Sequence, residues 1–300
     1  MRQGYGIGLI VFTALGFVGI ARGDDRDDRA ATILTKLGAT VRRDKDGRVT
    51  AVHLFPASSK VTDIDFACVE NLPALKSVIL MDSFLTDASL ARLKTLPALD
   101  FLMLGGTHTD AQGQMKSGGD GFTDAGLARL SESKGLKHLI LAGSKFTDAG
   151  LVHVAGLTGI RRLGLSSPGL TDAGLVRVAG LTGLDELNLN GSKMTGRTLK
   201  DLAILPGLNS LVIGPADLDA RSFAAIADLA QLRRLMIYKS KIADDAVPKL
   251  ARLTWLERLD LIESPLSESH VSTLKKSLGT TQINIEKKEQ FYSKLSKPKA

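Results

Sequence analysis

The sequence predicts an α/β solenoid, in which short parallel strands alternate with short helices, on three observations. The phrase Thr-Asp-Ala-Gly-Leu occurs at residues 123–127, 147–151 and 171–175, with weaker copies around it. Its Thr slot gives a marker series: Thr62, Thr86, Thr123, Thr147, Thr171, Thr195, Asp219, Ala243 and Ser267. Seven of the eight intervals in that series are 24 residues and the other is 37. Upstream of the markers runs Leu-x-x-Leu-x-Leu, as in Leu99, Leu102 and Leu104, or Leu184, Leu187 and Leu189. A fixed period in this range marks a stacked array, in which no unit buries its own apolar face and neighbours share one core.

Each part of the unit has a local cause. The Leu-x-Leu step has period two, so both leucines face one side of a short strand. Thr is a good helix N-cap, because its hydroxyl accepts a bond from an orphan amide of the first turn. The Asp that follows puts negative charge at the positive end of the helix dipole. Asp219 is also a capping residue, whereas Ala243 is not, so that helix should start less firmly. Apolar residues then fall at helical spacing, as in Leu151, Val154 and Leu157. Asp124, Asp148 and Asp172 stack on adjacent repeats, roughly 5 Å apart by strand spacing, which raises a cation site as a possibility. Capping explains the same residues without a metal, and neither a metal nor another cofactor is expected.

These motifs resemble those of leucine-rich-repeat proteins, over roughly residues 49–285. The resemblance implies a curved horseshoe with a parallel β-sheet on the concave face and short helices on the convex face. The 24-residue unit with its Thr-Asp-Ala-Gly-Leu helix start is most similar to the type found in F-box substrate adaptors and in exported bacterial repeat proteins. One departure stands out. Many such repeats place Asn three residues after the last strand leucine, where its amide bonds to neighbouring turns. Here that slot holds Ser83, Ser144, Pro168, Ser192, Ala216, Ser240 and Ser264. An Asn ladder is absent, and small residues are expected to turn the corner.

Taken in order, the chain opens with Arg2 and an uncharged run over residues 3–21, followed by Ala21-Arg22-Gly23. This is the pattern of a signal peptide over residues 1–23, with small residues at the minus-three and minus-one positions of the cut. The competing reading is an uncleaved membrane anchor, which the run's five glycines weaken. Residues 24–48 read as a cap. Ala30, Ile33, Leu34 and Leu37 have helical spacing, and Asp46-Gly47 suits a hairpin turn before a strand over residues 49–54. The 13 extra residues of the long interval fall in segment 105–121, which is rich in glycine and polar residues and reads as a loop. It is either a tolerated insertion or a partner contact. His108, Asp110 and Asp120 within it match no metal motif. Residues 286–300 form a basic tail with five lysines against two glutamates.

The formal net charge is +7, and the leader and the tail account for most of it. The body is mildly basic, with no basic stripe interleaved with aromatics, so no nucleic-acid partner is expected. Cys68 is the one cysteine and reads as a small buried hydrophobe. The five histidines (His53, His108, His138, His153, His270) are scattered over different repeats, and no nucleophile–base pair, metal spacing or phosphate loop is present.

The residues beside the strand leucines point to the outer side of the sheet. The candidate contact residues are Ile79, Met81, Phe101, Met103, His138, Arg162, Asn188, Arg234, Tyr238, Arg258 and Asp260. The early part of this face is apolar, the middle polar and small, and the late part joins Arg, Tyr and Asp. An apolar patch with Met and Phe reads as a contact surface, and Arg and Tyr are frequent interface anchors. Ten strands at roughly 4.8 Å give an arc of about 45 Å. That suits an unidentified protein or extended polymer better than a small metabolite. The chain therefore reads as an exported, non-enzymatic binding module: monomeric, periplasmic, surface-held or secreted, with no stable membrane span after cleavage. An intracellular substrate adaptor is the second reading, and an enzyme with its site at the insertion is the third.

Overall fold

A computed structural model describes residues 25–286, except 56–59, 82–83, 110–114, 119–120, 144, 194–195 and 197. The expected leader and all of the basic tail but Glu286 lie outside the described residues.

The chain opens with helix α1 (Asp25–Lys36) and the antiparallel pair β1 (Thr40–Arg43) and β2 (Val49–Leu54). The repeats then supply β3 (Ser77–Leu80), β4 (Phe101–Thr109), β5 (Met115–Gly118), β6 (His138–Ala142), β7 (Arg162–Leu165) and β8 (Glu186–Asn190). They continue with β9 (Ser210–Gly214), β10 (Asp217–Leu218), β11 (Arg234–Tyr238), β12 (Lys241–Ile242), β13 (Arg258–Ile262) and β14 (Gln282–Glu286). Between these strands lie short helices α2 (Asp63–Phe66), α3 (Asp87–Leu93), α4 (Asp124–Arg129), α5 (Leu151–Val154), α6 (Asp172–Val178), α7 (Ala220–Ala227), α8 (Val247–Leu250) and α9 (Glu268–Ser277). Among the described residues, β2, β3, β4, β6, β7, β8, β9, β11, β13 and β14 follow one another in a single parallel sheet.

The register of that sheet is set by the leucines. Leu139 pairs with Leu163, Leu163 with Leu187, and Leu187 with Leu211. Leu211 pairs with Leu235 and Leu235 with Leu259. Each of these is at most 1% exposed, and burying one such side chain is worth about 1.5–3 kcal/mol. A slip of one residue would turn the whole row outward, so the period of 24 holds register along the stack. At the amino-terminal end α1 closes the core with Ala30, Ala31 and Leu34, and buried Asp27 accepts the Val49 N–H. Ile33 does not join that core and stays 40% exposed.

The repeat phrase does more than cap helices. Thr147 Oγ1 accepts the Ala149 N–H, which is the expected cap. Thr147 also donates its N–H and hydroxyl to the two carboxylate oxygens of Asp124, one repeat earlier, at 2.9 and 2.5 Å. The same paired bonds join Thr86 to Asp63, Thr123 to Asp87 and Thr171 to Asp148. The dipole reading of Asp is therefore incomplete, because each carboxylate also ties its repeat to the next. The phrase's Gly follows from this. A Cβ on Gly150 would fall 2.2 Å from Asp124 Oδ1, and Gly126 and Gly174 face the preceding Asp in the same way. The first repeat has no carboxylate before it, and there Thr62 donates instead to its own Asp65. Those bonds, led by the hydroxyl, hold the Asp65 carboxyl below its usual range.

Segment 105–121 differs from the loop expected of it. β4 runs on past the sheet to Thr109 and pairs antiparallel with β5, from Gly106 opposite Gly118 to Thr109 opposite Met115. Gly105 (φ +73°) and Gly106 (φ +147°) take backbone angles that other residues rarely adopt, at the point where β4 leaves the sheet. Polar composition signalled a loop, but in a two-stranded ribbon it is also compatible with pairing. Asp110 and Asp120 lie outside the described residues.

Candidate interaction face

The odd positions of the strands stand on the concave side, opposite the helices, in rows across the sheet. Phe101, His138, Arg162 and Glu186 form one row, and Met103, Ile140, Gly164 and Asn188 the next. Between these rows and the root of the ribbon lies a groove of about 800 Å³. Met81, Phe101, Met103, His138, Arg162 and Asn188 all line it, so six of the candidate residues come together. Ile79 stands on the same face beside Met103 but outside the groove.

The groove has two unlike ends. Met81, Phe101, Met103 and Ile140 make an apolar end, with the Phe101 ring edge-on to His138 at 6.0 Å. These side chains are half-buried rather than open. Among the described residues the most open large apolar side chains are Ile64 at 84% and Phe84 at 69% exposure, neither of which lines the groove. At the other end stand Arg162, Glu186, Asn188, Ser166 and Asn190. The Arg162 guanidinium lies 3.8 Å from Glu186 and is 61% exposed, so this pair is loose. Asn188 Oδ1 accepts the Asn190 N–H at 2.9 Å.

The remaining candidates do not join the groove. Arg234 donates to Asn209 Oδ1 at 3.2 Å, and the Lys239 ammonium sits 5.0 Å from the Tyr238 ring centre. Asp260 needs correction as an open contact residue, since it is only 4% exposed. Arg258 donates to both its oxygens, at 2.6 and 2.8 Å, and Asn284 of β14 reaches it at 3.2 Å. The Asp260 hydrogen bond and charge hold the Arg258 guanidinium above its ordinary pKa range. That end of the face is thus internally paired. Sequence reading placed Ile140, Gly164, Glu186 and Asn190 on the same outward face but did not single them out as contact residues, and the groove adds them. Strand register gave their face, and only the shape of the groove sets them apart from the rest of it.

Burial pushes the Cys68 thiol up to about 11, far from a thiolate at neutral pH. His53 is shifted down by burial and by Arg42, and its Nε2 lies 3.2 Å from Ser77 Oγ. Among the described residues no group of three or more His, Cys, Asp or Glu side chains is placed to hold a metal ion. The stacked aspartates are taken up by the threonines of the next repeat. No described helix is long and apolar enough to cross a membrane.

Ten parallel strands stacked at one repeat per strand, with their leucines in register, decide the architecture. It is a leucine-rich-repeat solenoid. No family model and no curated protein matches the chain. Among solved structures it is similar to an internalin C2 from Listeria monocytogenes str. 4b F2365, at 21% identity and a TM-score of 0.45, over 88% of this chain and 93% of that one. An internalin (inlF) from the same strain is similar at 18% identity and a TM-score of 0.39, over 88% and 95%. The PEPR1–AtPEP1 structure is similar at 14% identity and a TM-score of 0.42, over 82% of this chain and 36% of that one.

Proposed function

We propose that this chain is an exported, non-enzymatic module that holds a partner protein on the concave face of its sheet. The observation that carries this reading is the groove at the root of the ribbon, with an apolar end and a hydrogen-bonding end on one rigid sheet. A rigid scaffold with side chains from several strands converging on one depression is suited to recognition. Burial holds the Cys68 thiol in its protonated form, which argues against a cysteine nucleophile.

The test is site-directed photocrosslinking. A benzophenone side chain at Ile140 should capture the partner, and one at Val152 on the helical side should not. Capture from position 152 alone would move the interface to the convex face. Export rests on the leader pattern of residues 1–23. Amino-terminal sequencing of the protein recovered outside the cytoplasm should begin at Asp24. An intact amino terminus on membrane-bound protein would favour an anchor.

A further inference from the structure

The groove's own chemistry narrows what it takes, provided that the concave-face reading above holds. It crosses five strands, from the end of β3 to β8. At roughly 4.8 Å per strand this is about 19 Å, the length of roughly six residues of extended chain. Its charge is balanced. Arg162 and Glu186 are the charged side chains of its lining, of opposite sign and on adjacent strands. A polyanion or a polybasic tail finds no complement there, whereas an uncharged segment meets no like-charge repulsion on entering.

The two ends then ask for two kinds of contact. The apolar end is built from Met81 and Met103 beside Ile140. Thioethers are flexible and polarizable, so they fit varied aliphatic or aromatic side chains. Phe101 packs edge-to-face with His138 at 6.0 Å, so these two rings brace each other on the wall. Between the ends the floor drops at Gly164. A Cβ there would come 3.3 Å from Ile140 Cγ2, tight against the wall. Beyond it, the Asn188 Nδ2 group and the whole Asn190 side-chain amide have no hydrogen-bond partner among the described residues. Side-chain amides carry donors and acceptors together, which is the pattern a peptide main chain presents.

We infer that the groove takes an uncharged, extended peptide segment of a partner protein, about six residues long. One long apolar side chain lodges against Met81, Met103 and Ile140, and the main-chain amides bond to Asn188 and Asn190. Gly164 is the position that keeps the floor open.

A random linear heptapeptide phage library panned on the full chain tests this. Enriched peptides should be uncharged and share one Leu, Met or Phe position. A synthetic copy should bind roughly tenfold or more weakly to the Asn188→Ala/Asn190→Ala double variant, and likewise to Gly164→Leu. It should bind Arg234→Ala as it binds the parent. Should Gly164→Leu fail to fold, the double asparagine variant still decides the matter, since those side chains are only partly buried. The inference is overturned by charged consensus peptides, or by equal binding to parent and double variant. It is equally overturned by no enrichment, with or without binding of neutral oligosaccharides in a parallel panel. Capture through position 140 combined with any of these failures would leave the concave-face reading standing and remove the peptide.

Discussion

The amino-terminal and carboxy-terminal repeats share one frame but are joined by different chemistry. From Asp63 to Thr171 the joint is a carboxylate bonded to the next repeat's threonine, at the helix starts, exposed at Thr86 and Thr147 and part-buried at Thr123 and Thr171. From Ala216 to Ser264 the joint has moved to the strand ends. There Ser240 Oγ accepts the Ala216 N–H, and Ser264 Oγ accepts the Ser240 N–H, both at 3.1 Å and with both serines buried. The expected absence of an Asn ladder thus hides a serine ladder in the same slot. The difference also explains where the repeat phrase decays. Ala220 occupies the Asp slot, so no carboxylate reaches the following repeat, and Ala246 replaces the Gly that would have made room for one. Ser89, in the Gly slot behind Asp63, and Thr198, in the Gly slot behind Asp172 and donating to its Oδ1 at 3.3 Å, are exceptions. The strictest copies of the phrase are those in which Thr, Asp and Gly serve one joint.

The comparison should vanish in the core. Leu163→Ala and Leu235→Ala remove equivalent, fully buried side chains from the two halves. Each should cost about 2–5 kcal/mol by chemical denaturation. A loss well below that range at either position would put its strand register in doubt. A large gap between the two would show that the halves do not share one continuous core.

That core was legible because its signal is periodic and dense. The concave rows follow from counting leucines, and the strand over Val49–Leu54 from the Asp46-Gly47 turn before it. The joints were not legible, because they link residues 23 or 36 positions apart whose local role as cap and dipole partner already seemed sufficient. The site was half legible. Register placed Phe101, Met103 and Asn188 on one face, but the depth of a groove depends on what is missing, as at Gly164. Asp260 misled for the opposite reason. Its row is outward-facing in the middle of the sheet, yet here Arg258 and Asn284 close over it.

The dry joint should be the next most costly to break. Ser264→Ala leaves the buried Ser240 N–H without its acceptor. It also removes a hydroxyl lying 3.2 and 3.1 Å from the Ile237 and Ile262 carbonyls. A buried orphan amide costs about 1–3 kcal/mol, so a loss in that range is expected by thermal or urea melting. No loss would mean that water enters the turn and that this joint resembles the other.

The wet joint should be weaker, and its chemistry can be separated from the helix dipole. Asp124→Ala strips Thr147 of both acceptors, but Thr147 is exposed and water takes their place. A loss of about 0.5–1.5 kcal/mol is expected, smaller than at Ser264. Asp124→Asn then decides which role matters. It keeps an oxygen for the Thr147 N–H, and its amide can donate to the Thr147 hydroxyl, so the joint survives while the charge is gone. If the joint is what Asp124 supplies, Asn should cost well under half of what Ala costs. If the charge at the helix start is what counts, Asn should cost as much as Ala, about 0.3–1 kcal/mol, and the loss should shrink with added salt. Equal losses would return the Asp of the repeat phrase to a cap-side charge, with the Gly of the next repeat needed only to clear its carboxylate.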